Sequence, residues 1–193
     1  MFENRKFIII FLIFPVLKAQ TSVEFGSNCL IHNEAYKFEY LHASNENTIK
    51  KIQSAYLKPL SKVNDFNKIR WSLIETKSQS GQYYLKSSFY GDYLCAKSSY
   101  ADIFHSIRKV IRLNVKTPFN DCKWRISKLM SKTSNNTYMI KNVFFDEVLY
   151  AASYSFPYWI NEKEIFSSNS MNNFKTGKYK WIIDCKKGDY LWI

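Results

Sequence analysis

The chain is poor in the residues that punctuate or bend a backbone: 5 Gly and 4 Pro in 193 residues. Nothing in it reads as a disordered linker. Histidine is nearly absent, at 3, and cysteine is limited to 4. With no His cluster and no C-x-x-C, a zinc site is not expected. The sequence lacks Gly-x-Ser-x-Gly, His-Glu-x-x-His and any Gly-rich phosphate loop, so hydrolase, metalloprotease and nucleotide-dependent chemistries have no anchor. No cofactor is expected, and the chain reads as a non-enzyme. No nucleic-acid motif appears either. Beyond the first 17 residues no apolar run is long enough to span a bilayer.

What is present is aromatic and basic. Tyr and Phe number 14 and 15, a composition that favours strands. The length suits one domain with a real core, expected to act as a monomer. Arg5 and Lys6 precede the apolar run Phe7 to Leu17, and Ala19 supplies a small residue for cleavage. That is the layout of a secretory signal peptide over residues 1–19, leaving no membrane span in the mature chain. Without residues 1–19 the chain keeps 25 of 28 cations and 15 of 16 anions, about +10. Outside a cell, this balance favours anionic partners: glycosaminoglycans or other anionic polysaccharides, acidic lipid surfaces, or released nucleic acid. Nucleic acid is the least favoured of these.

Three blocks repeat. Phe38-Glu-Tyr-Leu-His-Ala43, Gly91-Asp-Tyr-Leu-Cys-Ala96 and Asp146-Glu-Val-Leu-Tyr-Ala151 share an acid, a Leu and an Ala. A second set, centred on Trp71, Trp124 and Trp181, reads apolar, basic, Trp, any residue, apolar. Such alternation is a half-buried strand. A third block aligns Tyr83–Tyr90 with Tyr138–Phe145, and Leu30–Lys37 is a fainter copy. Another strand follows each Leu-x-Ala block, best seen at Ile107–Val115. Each unit then holds about four short strands, and the chain about twelve. One unit cannot bury its own apolar face, and three closing on an axis form a core and remove sheet edges. The expected fold is an all-β trefoil over 28–193, with repeats at about 28–76, 77–130 and 131–185. The acids Glu39, Asp92 and Asp146-Glu147, recurring at one spot, read as turn chemistry.

With Leu149-Tyr-Ala-Ala152, Tyr90 to Leu94 and Cys122-Lys-Trp-Arg125 in view, the chain resembles the small secreted β-trefoil proteins of mosquitoes and other flies, including the cysteine- and tryptophan-rich salivary proteins. The resemblance covers about residues 28 to 185 and implies fold and secretion. More distantly the chain is similar to ricin-type lectins, which read galactose-like sugars from a Gln-x-Trp strand and a nearby Asp. Here the residues two before each Trp are Ile69, Cys122 and Tyr179, so the lectin's glutamine is missing. Plant trypsin-inhibitor trefoils and fibroblast-growth-factor-like trefoils are similar at the level of fold.

Secretion makes Cys29, Cys95, Cys122 and Cys185 candidates for two disulfides, and spacing leaves all three pairings open. The trefoil fold, with its first and last strands adjacent, implies Cys29–Cys185 and Cys95–Cys122. Alternation along Ile107–Lys116 turns Arg108, Arg112 and Lys116 outward, and along the next Trp strand it turns Lys123 and Arg125 outward. These five form the candidate anion-binding face, extended by Lys128 and Lys132, and Arg beside Lys suits sulfate or phosphate. Asn135-Asn-Thr137 is an N-glycosylation sequon in a polar stretch. The leading expectation is a secreted binding module for an anionic glycan. The alternative is a protease inhibitor or partner-protein effector that uses the loops Ser44–Ser54 and Tyr154–Asn161.

Overall fold

The computed structural model describes residues 25–44, 54–100, 109–113, 116–130, 136–152, 163–169 and 177–185. The signal segment, Arg108, Lys132, Asn135, His105 and the loop interiors 45–53 and 153–161 lie outside the described residues. The described residues form twelve strands: β1 (Cys29–Asn33), β2 (Glu39–Ser44), β3 (Ser54–Pro59), β4 (Arg70–Glu75), β5 (Gln82–Ser87), β6 (Cys95–Tyr100), β7 (Lys109–Arg112), β8 (Lys123–Lys128), β9 (Thr137–Asn142), β10 (Val148–Ala151), β11 (Lys163–Ser168) and β12 (Lys180–Cys185). Among the described residues the helical pieces are short 3-10 turns, such as Phe66–Ile69 and Asn120–Cys122.

The strands form two storeys. β1, β12, β9, β8, β5 and β4 pair antiparallel in that order, and β4 returns to β1, so six strands close a barrel. The other six form the hairpins β2–β3, β6–β7 and β10–β11. Contacts β3–β7, β7–β11 and β11–β3 join the hairpins in a ring over one barrel end. Closure of both storeys leaves few free edges for another chain to pair with.

The repeated residues explain why this closes. Leu41, Leu94 and Leu149, with Ala43, Ala96 and Ala151 two positions on, are fully buried, as are Trp71, Trp124 and Trp181. The two motifs meet through a hydrogen bond made three times. The indole N–H of Trp71 donates to the Leu41 carbonyl at 2.8 Å, Trp124 to Leu94 at 2.8 Å, and Trp181 to Leu149 at 3.0 Å. Each Trp therefore fills the barrel and ties its strand to the hairpin of the same repeat, while its only polar atom is satisfied.

A second tie links neighbouring repeats. Asn33, at the end of β1, is fully buried and donates Nδ2 to the carbonyls of Lys178 and Lys180 at 2.8 and 3.1 Å. Asn142, at the end of β9, donates likewise to Asp121 and Lys123 at 2.8 and 3.3 Å. The second repeat has Ser87 there, which accepts from the Tyr90 amide at 3.3 Å. Sequence reading did not single out this position.

The turn into each Leu-x-Ala strand uses left-handed backbone: φ is 66° at Phe38, 68° at Gly91 and 57° at Asp146. Glycine adopts this freely and Asp tolerates it. For Phe the conformation costs about 1–2 kcal/mol.

Two disulfides staple the fold. Cys29–Cys185 spans 156 residues and joins the first strand to the last, while Cys95–Cys122 spans 27 within the second repeat. In the chain-entropy picture, loops of these sizes contribute about 5 and about 3.5 kcal/mol respectively.

Candidate functional site

The candidate basic residues fall on both storeys. Arg112 is in β7, part of the hairpin ring, where its backbone pairs with Cys95. Lys116 follows that strand and directs its ammonium to buried Asp92 at 2.6 Å and to the Tyr90 carbonyl at 2.8 Å. Lys123 and Arg125 belong to β8 in the barrel wall. There the alternation of burial puts Trp124 and Ile126 inside and Lys123 and Arg125 outside, and Lys128 is exposed at the strand end. The face expected as one patch is therefore split by level, and its barrel half is Lys123 with Arg125.

The recurring acids do more than shape turns. Asp92 and Glu147 are buried, at 1% and 4% exposure. Glu39 receives the Lys163 ammonium, Asp92 that of Lys116, and Glu147 accepts from the Ser167 hydroxyl at 2.5 Å. Ion pairing at Glu39 and Asp92, and hydrogen bonding at Glu147, make these carboxylates tolerable in the interior. Other cations are likewise engaged: Lys141 by Asp146 at 2.6 Å and Lys180 by Glu34 at 3.2 Å. Among the described residues, Lys123 and Arg125 have no acidic partner at ion-pair distance.

Their neighbours suit a polar ligand. Arg125 lies between Gln82 of β5 and Lys141 of β9 in the ladder, and Lys123 lies opposite Tyr84. Lys123 also lines an open cleft of about 400 Å³ with Gln79, Gln82, Asn120 and Phe144 among its walls. Gln82 donates to the Gln79 side-chain oxygen at 2.5 Å. Phe144 is 61% exposed yet held edge-on by Phe145, with ring centroids 4.7 Å apart. A fixed exposed ring, side-chain amides and an unpaired ammonium are the groups needed to stack a sugar, bond its hydroxyls and hold an acid substituent. Sequence reading picked out Lys123 and Arg125 by alternation. It missed Gln79, Gln82 and Phe144, which come from the neighbouring repeat boundary and the following repeat.

Other reactive groups are committed elsewhere. His42 is buried in β2, and burial, with Lys58 and Lys68 nearby, pushes its pKa down to about 4 against a smaller opposing effect of Asp65, so it is neutral at physiological pH. Burial raises the Tyr36 hydroxyl pKa, partly offset by Lys178. Cys95, Asp121 and Cys122 group closely, but the two sulfurs are joined in the disulfide and offer no thiolate to a metal. At the lectin glutamine position, Ile69 and Cys122 are buried in the wall and supply no polar sugar contact. No helix among the described residues is long and apolar enough to cross a membrane.

No protein-family model and no curated protein sequence matches this chain. Solved structures do. A cysteine- and tryptophan-rich salivary protein from the mosquito Culex is similar at 17% identity, with 84% of this chain and 96% of that one aligned and a TM-score of 0.58. A ricin B-like lectin from the mushroom Macrolepiota procera, solved with lactose, is similar at 19% identity, over 86% of this chain and 100% of that one, with a TM-score of 0.57. ThreeFoil, a designed threefold-symmetric protein, aligns over 80% of this chain and 96% of its own at 13% identity and a TM-score of 0.59. At such identities the likeness speaks for fold. Together with the six-stranded barrel, the hairpin ring and the thrice-repeated Trp–Leu tie, it makes the chain a β-trefoil.

Proposed function

We propose that this chain is a secreted, non-enzymatic binding module that recognises an anionic extracellular polysaccharide of the glycosaminoglycan kind through the outer face of β8. One observation carries the reading. Among the described residues Lys123 and Arg125 stand without acidic partners, Lys123 in the wall of a polar cleft with an exposed ring, whereas Lys116, Lys141, Lys163 and Lys180 are each held by a carboxylate. Unpaired cations on a rigid strand keep their charge for a ligand and lose little freedom on binding it. The leader at 1–19, the two disulfides and the sequon at Asn135 agree with an extracellular setting.

Heparin chromatography of the mature protein tests the reading. The expected result is elution well above physiological salt, with a Lys123→Glu/Arg125→Glu variant released at or below it and Phe144→Ala weakened without a change in salt dependence. Elution of the unaltered protein at physiological salt, or an unchanged profile for the charge-reversed variant, removes the proposal.

A further inference from the structure

The first repeat carries a side chain that its threefold counterparts avoid. Phe38 holds φ at 66° where the other repeats place Gly91 and Asp146. A bulky residue in left-handed backbone is strained, and such strain persists where a function retains it. Burial does not account for it here, because Phe38 is 71% exposed. Across an open cleft of about 470 Å³ it faces Pro59 and Leu60, and Leu60 is itself exposed. The Leu60 amide donates to the Phe38 carbonyl at 3.1 Å, so the two apolar tips stand on one rigid corner. Lys37, in the same cleft wall, and Lys62, at the end of the short turn that Leu60 begins, are both exposed. The one acid in the cleft wall, Glu39, is engaged by Lys163, which leaves the rim positive.

Three apolar side chains fall far short of the roughly 800 Å² per partner that a stable protein interface buries. They match the needs of a shallow interfacial anchor, in which apolar tips enter the headgroup boundary and flanking lysines meet acidic lipid. We propose that the Phe38–Leu60 corner docks this protein onto anionic phospholipid surfaces. Phe38 and Leu60 enter the boundary between headgroups and acyl chains, and Lys37 and Lys62 lie on the headgroup phosphates and carboxylates. The left-handed turn holds the ring outward in advance, so that no segment has to order on contact. This site is separate from Lys123 and Arg125 and does not depend on the glycan reading.

Sedimentation with vesicles of phosphatidylcholine, alone and mixed with phosphatidylserine, provides the test. The mature protein is expected to bind the mixed vesicles and not the neutral ones. Phe38→Gly is expected to lower partitioning about tenfold or more. The same change relieves the backbone, so the thermal midpoint stays level or rises by about 2–4 °C. Lys37→Glu/Lys62→Glu lowers binding about fivefold per lysine removed, and Lys123→Glu/Arg125→Glu leaves most of it. The proposal fails if the protein ignores the mixed vesicles, if it binds both kinds equally, or if Phe38→Gly sediments as the parent does. It also fails if Phe38→Gly lowers the midpoint, since the ring is then a packing group. Loss of vesicle binding with Lys123 and Arg125 but not with Phe38 assigns it to the barrel face and refutes this site. Capture of a soluble protein without vesicle binding points to a protein partner and overturns the lipid reading.

Discussion

Replacing Trp124 by Phe isolates what the Trp–Leu tie contributes. The substitution keeps an aromatic ring in a fully buried position and removes the indole N–H that donates to the Leu94 carbonyl at 2.8 Å. A buried carbonyl left without its donor costs about 1–3 kcal/mol. The smaller ring leaves a void of about 40 Å³, which at about 24 cal/mol per Å³ adds ~1 kcal/mol. The expected loss is about 2–4 kcal/mol, or about 5–15 °C in thermal midpoint for a chain of this size. Urea unfolding followed by far-UV circular dichroism, with the disulfides kept oxidised, measures it without relying on the fluorophore being changed. The m-value should not move, since the surface exposed on unfolding is the same. Trp71→Phe and Trp181→Phe should cost comparable amounts, because the bond recurs at 2.8 and 3.0 Å. A loss below about 1 kcal/mol at all three sites would falsify the claim that these bonds, beyond ring volume, join barrel to hairpin ring.

Two further outcomes follow from buried polar positions. With His42 held at about 4 in the fold against an ordinary value near 6.5, the unfolded chain binds the proton first. Its contribution is complete above about pH 6.5 and is lost as pH falls toward 4, a change of about 3 kcal/mol. Stability measured across that window should therefore fall less steeply for His42→Gln than for the parent, and parallel slopes would show that His42 is protonated in the fold. Ser87→Asn should give the second repeat the inter-repeat tie made by Asn33 and Asn142, raising stability by about 0.5–1.5 kcal/mol in chemical unfolding. A decrease there would mean that the second repeat has no room for the amide.

The fold was legible because each repeat has to bury the same groups. Leu41, Leu94 and Leu149 and the three Trp residues recur at spacings that no other arrangement of a chain this size would require, and alternation around Trp124 identified which side of β8 faces out. Alternation does not say which storey a strand occupies. Arg112 and Lys123 therefore looked like neighbours on one face, although β7 belongs to the hairpin ring and β8 to the barrel. Lys116 looked available because its partner, Asp92, read as a turn residue. Asn33 and Asn142 were silent because their acceptors are backbone carbonyls on the preceding strand of the barrel, which no side-chain pattern encodes. The left-handed turn at Phe38 was hidden for a related reason: in two repeats Gly and Asp announce it, and in the third a residue with the opposite preference occupies the slot.

The bond between Cys29 and Cys185 has a mechanical consequence. β1 and β12 lie side by side in full register, from Cys29 opposite Cys185 to Asn33 opposite Trp181. A pull on the N-terminal side first strips Phe25 from Tyr83 and Tyr138 and Gly26 from Leu73, and is then carried by the one S–S link rather than by the barrel. The protein can then hang from either tail, or bridge two tethers, without its strands bearing the load, until a reductant cuts the link and the pull peels β1 from β12 one residue pair at a time.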